Sequence, residues 1–110
     1  MLKKNQKNSL HKENLQAPAF LAKSLSDENR LRILLCIRKR KKSVSEIVEE
    51  LQLSQPLISH HLKELKRSLL VKVERDGPFI YYELADERII DILMDLDRLA
   101  TDLLTRRKTF

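Results

Sequence analysis

The sequence predicts a mainly α-helical domain that carries one small β-hairpin. Apolar residues recur at helical spacing through most of the 110 residues. After Leu69 the period shortens to two, the signature of strands. Only one Gly and three Pro occur, so regular elements joined by few turns are expected. With 42% hydrophobic and 35% charged residues, the chain has the balance of a single globular domain.

Residues 1–14, MLKKNQKNSLHKEN, are polar, lysine-bearing and aperiodic. They read as a flexible basic arm ahead of a domain at 15–107, with 108–110 as a short tail. His11 has no ligand candidate nearby and reads as solvated. A first helix is expected over 15–25, with Phe20, Leu21 and Leu25 as its apolar stripe. Ser26 and Asp27 are cap candidates for a second helix through ENRLRILLCIRKR, with Ile33, Leu34 and Ile37 inward. This stretch runs into five consecutive cations, Arg38 to Lys42. They fit a solvated helix end that complements the macrodipole, or a phosphate contact; a nuclear import signal is a third reading.

Ser43-Val44-Ser45-Glu46 matches a capping box, and a third helix follows over about 44–51 with Ile47, Val48 and Leu51 inward. A very short connection leads into SQPLISHHLKELKR, residues 54–67. Ser54 can cap its first turn, and Pro56 lies where a missing amide costs no helical bond. Leu57, Ile58, His61, Leu62 and Leu65 share one side of this helix. Gln55, Ser59, His60, Lys63, Lys66 and Arg67 share the other, with Glu64 near its edge. Two short helices joined this tightly form a helix-turn-helix.

Beyond it, Val71 and Val73 alternate with Lys72 and Glu74, and Ile80, Tyr82 and Leu84 with Phe79, Tyr81 and Glu83. Arg75-Asp76-Gly77-Pro78 between them signals a turn, so a hairpin packed on the helical core is expected. A basic hairpin directly after a helix-turn-helix is a wing. A last helix is expected from about 86 to 107. Its Leu and Ile stripe is broader than one small core requires, so a homodimer through the terminal helices is expected. Phe20, Leu21, Ile92, Leu96, Leu99 and Leu103 are the interface candidates, and a twofold pair would meet a pseudo-palindromic operator.

Charge is divided along the chain. Residues 1–75 hold 17 Lys and Arg against 8 Asp and Glu, a net of +9, whereas residues 76–110 hold 5 against 8, a net of −3. Positive charge on the part that contains residues 54–67 favours a polyanionic partner. A helix ordered by its apolar side and presenting Gln, Ser, His and Lys outward suits the major groove of double-stranded DNA. Gln55, Ser59, His60 and Lys63 are placed for base edges or adjacent phosphates. Ser54 and Arg67 are placed for the backbone, and Lys72 and Arg75 for flanking phosphates or the minor groove. His61 leans to the apolar side and reads as a core residue.

The order of elements, with LSDENRLRIL, LSQPLISHHLKELKRSLLV and GPFIYYEL as they stand here, resembles the ArsR/SmtB family of winged helix-turn-helix transcriptional regulators. The resemblance spans about Leu21 to Leu104 and implies a cytoplasmic dimer that represses a promoter and releases it on binding an inducer. The family's thiolate site uses C-V-C, where this chain has Ser43-Val44-Ser45; hydroxyls do not replace soft thiolates. The family's zinc-type pattern lands on Asp86, Arg88, Leu99 and Asp102, so both imidazoles are missing. No metal is therefore expected at either place, and no cofactor. Relatives that sense sulfide or oxidants use a second-helix cysteine at the position of Leu35 here, paired with one on the last helix. The single cysteine, Cys36, lacks that partner and reads as a buried structural thiol that fits a reducing cytoplasm. The inducer is left open.

Other classes fit less well. A winged-helix protein-interaction module would present the same polar helix to an acidic protein. An RNA-binding module would need exposed aromatics for stacking, which are scarce. An enzyme is disfavoured, since no nucleophile–base pair, glycine-rich phosphate loop or metal cluster is visible. No apolar run is long enough for a bilayer, and no secretory pattern opens the chain.

Overall fold

The computed structural model describes residues 14–107. The proposed arm (apart from Asn14), His11 and the tail at 108–110 lie outside the described residues. Five helices and one hairpin follow in order: α1 (Gln16–Ser24), α2 (Glu28–Cys36), α3 (Val44–Leu51), α4 (Gln55–Arg67), β1 (Val71–Asp76), β2 (Phe79–Leu84) and α5 (Arg88–Thr105). This is a winged helix-turn-helix, the architecture expected from the sequence.

The helix starts follow their capping residues. Asp27 accepts bonds from the Asn29 and Arg30 amides at 2.8 and 3.1 Å, which fixes the start of α2. At α3 the capping box is complete: Ser43 Oγ accepts from the Glu46 amide at 3.3 Å, and Glu46 Oε1 accepts from the Ser43 amide at 3.1 Å. Ser54 Oγ accepts from the Leu57 amide at 3.3 Å, with Pro56 in the first turn of α4. Between α3 and α4, Gln52 takes the left-handed conformation, φ 56°, which turns the chain within a few residues. Helix α2 stops at Cys36, well short of the expected end. The five cations therefore form a loop after the helix and not its last turn, so the macrodipole reading of them does not apply.

That loop has a structural part of its own. Lys42 bridges Tyr82 through two backbone bonds of 3.0 and 2.8 Å, adding a one-residue strand to the wing. The hairpin register runs from Val71 opposite Leu84 to Asp76 opposite Phe79, so the turn is only Gly77-Pro78 and not four residues. Gly77 at φ 63° supplies the left-handed first position that such a two-residue turn demands, and the proline ring fixes the second.

Ile33, Leu34, Ile37, Ile47, Ile58, Leu62 and Leu65 are essentially inaccessible and form the core, joined by Leu70, Val71, Ile89 and Leu93. Tyr82 and Leu84 of the wing pack against it. Helix α4 ends in a Schellman motif, with the Leu70 amide on the Leu65 carbonyl and the Leu69 amide on Lys66, both at 3.0 Å. The left-handed position of that motif is usually glycine; here it is Leu69, at φ 66°.

Replacing Ser43 with alanine removes one half of the capping box. Urea titration should show a loss of about 1 kcal/mol, with the slope of the transition unchanged.

Candidate nucleic-acid interface

The residues proposed to read DNA begin with the two sides of α4. Ile58, His61, Leu62 and Leu65 are buried, whereas Gln55, Ser59, His60, Lys63, Lys66 and Arg67 are exposed. At 100° per residue, the six exposed side chains occupy a sector of about 140°. Glu64 lies at its border and holds Arg67 Nη1 at 3.3 Å, so Arg67 brings a partly neutralised charge to this face. Ser54 spends its hydroxyl on the cap. His60 sits at the edge of the row, lining a cleft with Phe20, Ser24, Arg30 and Arg67. Ser59 and Lys63 make up the open centre, with Gln55 at the opposite edge, in the first turn of the helix.

On the wing, Lys72 and Arg75 are exposed. Lys72 Nζ lies 3.7 Å from Glu83; Arg75 makes no ion pair among the described residues. The wing is clamped to the body by the basic loop. Lys41 Nζ is 2.5 Å from Glu74 and stands over the Tyr81 ring at 5.3 Å. Arg40 pairs with Glu46 at 2.6 Å and Lys42 with Glu50 at 2.5 Å. Sequence reading treated these cations as one patch, because their carboxylate partners lie on α3 and β1 and only folding brings them together.

His61 was expected in the core, and it is 5% exposed. Its Nδ1 is buried without a hydrogen-bond partner, and Nε2 faces Asp27 Oδ1 at 3.7 Å. Burial pushes the imidazole below its usual value of 6.5, outweighing the Asp27 carboxylate, which acts the other way. Cys36 is half-buried and not buried as expected. Its thiol donates to Glu50 Oε2 at 2.8 Å with Lys42 Nζ at 3.7 Å. Desolvation and the Glu50 hydrogen bond raise it to about 11, so it is a protonated, sluggish thiol at neutral pH.

Two positions of the family's zinc-type pattern, Asp86 and Arg88, are engaged with each other. The Arg88 guanidinium grips the Asp86 carboxylate, with Nη2 to Oδ2 at 2.8 Å, and the Arg88 amide bonds Oδ1 at 2.9 Å. These bonds hold the Asp86 carboxyl down at about 2. Among the described residues, no three His, Cys, Asp or Glu side chains gather closely enough to hold a metal ion.

The terminal helices carry the other candidate surface. Nothing in α1 is buried, and α5 buries only Ile89 and Leu93. Phe20, Leu21, Ile92, Leu96, Leu99 and Leu103 are all 40–55% exposed. Phe20, Leu21 and Ile92 share a cleft of about 550 Å³ with Leu69, which sequence reading missed; its exposure of 77% follows from the left-handed backbone. Helix α1 is tied to the body by Arg30, whose guanidinium donates to the Ser24 and Lys23 carbonyls at 2.7 and 3.3 Å.

A helix-turn-helix followed by a wing that exposes Lys72 and Arg75, with a free polar helix face, defines a nucleic-acid-binding regulator class. Residues 27–73 match the model of the bacterial regulatory protein family arsR. Over 84 residues the chain is 38% identical to the HTH-type transcriptional repressor SmtB of Mycobacterium tuberculosis, covering 76% of this chain and 62% of that one. It is 35% identical to an uncharacterised HTH-type transcriptional regulator of Methanocaldococcus jannaschii, covering 79% of this chain and 99% of the other. Among solved structures, the transcriptional regulator HlyU from Vibrio vulnificus superposes with a TM-score of 0.69 at 33% identity, covering 84% and 97% of the two chains. The chain belongs to the arsR family. It spans less than two thirds of the mycobacterial repressor's length.

The depressed His61 value makes stability pH-dependent. The unfolded chain takes up a proton near pH 6.5, whereas the folded chain does so only at lower pH. Stability should therefore fall as pH drops below 6.5, down to the folded value. Urea midpoints of wild type should follow that slope, and His61→Leu should flatten it.

Proposed function

We propose that this protein is a sequence-specific DNA-binding transcriptional regulator, a homodimeric repressor working in the cytoplasm on a pseudo-palindromic operator. The observation that carries the reading is the free face of α4: six polar or cationic side chains exposed in one sector, on a helix whose opposite side is locked in the core. Family membership and the repressor named among the relatives support it. Gln55, Ser59 and Lys63 read base edges in the major groove, with His60 at the margin of the contact. Amides near Ser54, with Arg67, hold the phosphates of the same groove. Arg75 and Lys72 carry the wing onto the flanking backbone or minor groove.

Dimerisation is proposed through the apolar rows of α1 and α5, since Phe20, Leu21, Ile92, Leu96, Leu99 and Leu103 stay about half exposed among the described residues. Two copies then present two α4 helices to half-sites about one helical turn apart. Among the described residues no helix is long and apolar enough to cross a membrane.

Gln55→Ala should cost about 1–3 kcal/mol at one operator base pair and little on random duplex. Equal losses on both in anisotropy titrations would remove its base-reading role. Leu99→Asp with Leu103→Asp should convert the dimer to a monomer in sedimentation equilibrium and sharply weaken operator binding, with the helical circular dichroism retained. A variant still dimeric would show that the interface lies elsewhere.

A further inference from the structure

The end of α2, the loop after it and the last turn of α3 line an open groove of about 650 Å³, the size range of small-molecule sites. Its rim carries Arg32, Arg38, Lys39 and Arg40, with Lys42 deeper, against the single lining carboxylate of Glu50. That carboxylate is already committed to Lys42 and to the Cys36 thiol. Arg32 and Arg40 are each paired with a glutamate, whereas Arg38 and Lys39 have no ion pair among the described residues. The floor differs from the rim: Leu35 and Leu51 are half-buried, and Cys36 is held neutral by desolvation and its bond to Glu50. A concave site with an apolar floor and two uncommitted cations at its mouth is complementary to an anion that has an apolar body.

We infer that this groove binds a small organic anion, a carboxylate, sulfonate or phosphate ester attached to an aromatic or aliphatic group. The acid group meets Arg38 and Lys39, and the body lies on Leu35, Leu51 and Cys36. The site is coupled to the wing. The same loop that forms the rim bridges Tyr82 through the Lys42 backbone and holds Glu74 through Lys41. A ligand that draws the loop toward the groove pulls on the wing. This coupling rests on the DNA-binding reading above; the binding site itself does not.

Cys36 is the sole cysteine of the chain, so its labelling reports occupancy of this groove and of nowhere else. The probe is anilinonaphthalene sulfonate, with uncharged phenylnaphthylamine as its control, and the full chain is labelled with N-ethylmaleimide at mildly alkaline pH. At ten times its dissociation constant the sulfonate should slow labelling by about tenfold. The neutral amine should give no such protection, and Arg38→Ala with Lys39→Ala should require about tenfold more sulfonate. Equal protection by both compounds, or sulfonate fluorescence with labelling unchanged, overturns the site and moves the probe to the terminal-helix face. In a duplex titration the sulfonate should weaken DNA binding by wild type more than by the double variant. Protected Cys36 with unchanged DNA affinity overturns the coupling. No DNA binding in the absence of probe would count against the proposed function, while the labelling result still decides the site.

Discussion

Ile58, Leu62 and Leu65 are completely withdrawn from solvent on one side of α4, and most of the structure rests against them. The helices before it, α2 and α3, supply Ile33, Leu34 and Ile47, and β1 and α5 supply Val71, Ile89 and Leu93 to the same cluster. Interiors are close-packed and tolerate little displacement. Once one side of α4 is fixed in this way, the orientation of its opposite side is fixed too. The rigidity of the exposed Gln, Ser and Lys row is thus a property of leucines and isoleucines that face away from it. His61 shows the cost of the arrangement: a ring in the same buried row leaves one nitrogen unsatisfied.

Electrostatics complete what packing begins. Arg40, Lys41 and Lys42 of the basic loop neutralise carboxylates on α3 and β1, so these three cations serve as ties between elements before they serve any partner. Exposed pairs of this kind add little to stability one at a time. Their value is positional, because a hairpin is marginal alone and the loop gives it a third point of attachment through Lys42 and Tyr82.

Much of this was legible in the sequence because local rules and the global fold agree. The capping box at Ser43, the cap at Ser54 and the two-sidedness of α4 are encoded within a few residues, and each was found where expected. The early end of α2 was not legible, since Ile37 continues the apolar period although the chain has already turned. The two-residue turn at Gly77-Pro78 was read as four residues because Arg75 and Asp76 resemble turn residues and only cross-strand pairing keeps them in the strand. Leu69 gave no signal at all. A leucine at φ 66° is selected by the Schellman geometry at the junction of helix and wing, against its own preference by about 1–2 kcal/mol. For the site, the exposed row and wing cations were identifiable by type and period. The partners of Arg67 and Lys72, Glu64 and Glu83, were present in the sequence but were not weighed as charge-sharing neighbours.

The hold of Arg30 on the last carbonyls of α1 has a consequence at the scale of the assembly. If the terminal helices form the twofold contact, the angle at which α1 leaves the body acts as a lever arm between two groove helices. A few degrees of rotation at that guanidinium become ångströms at the far end. The spacing between half-sites would then be calibrated by one arginine outside the base-reading row, and relatives could retune it without altering the residues that read sequence.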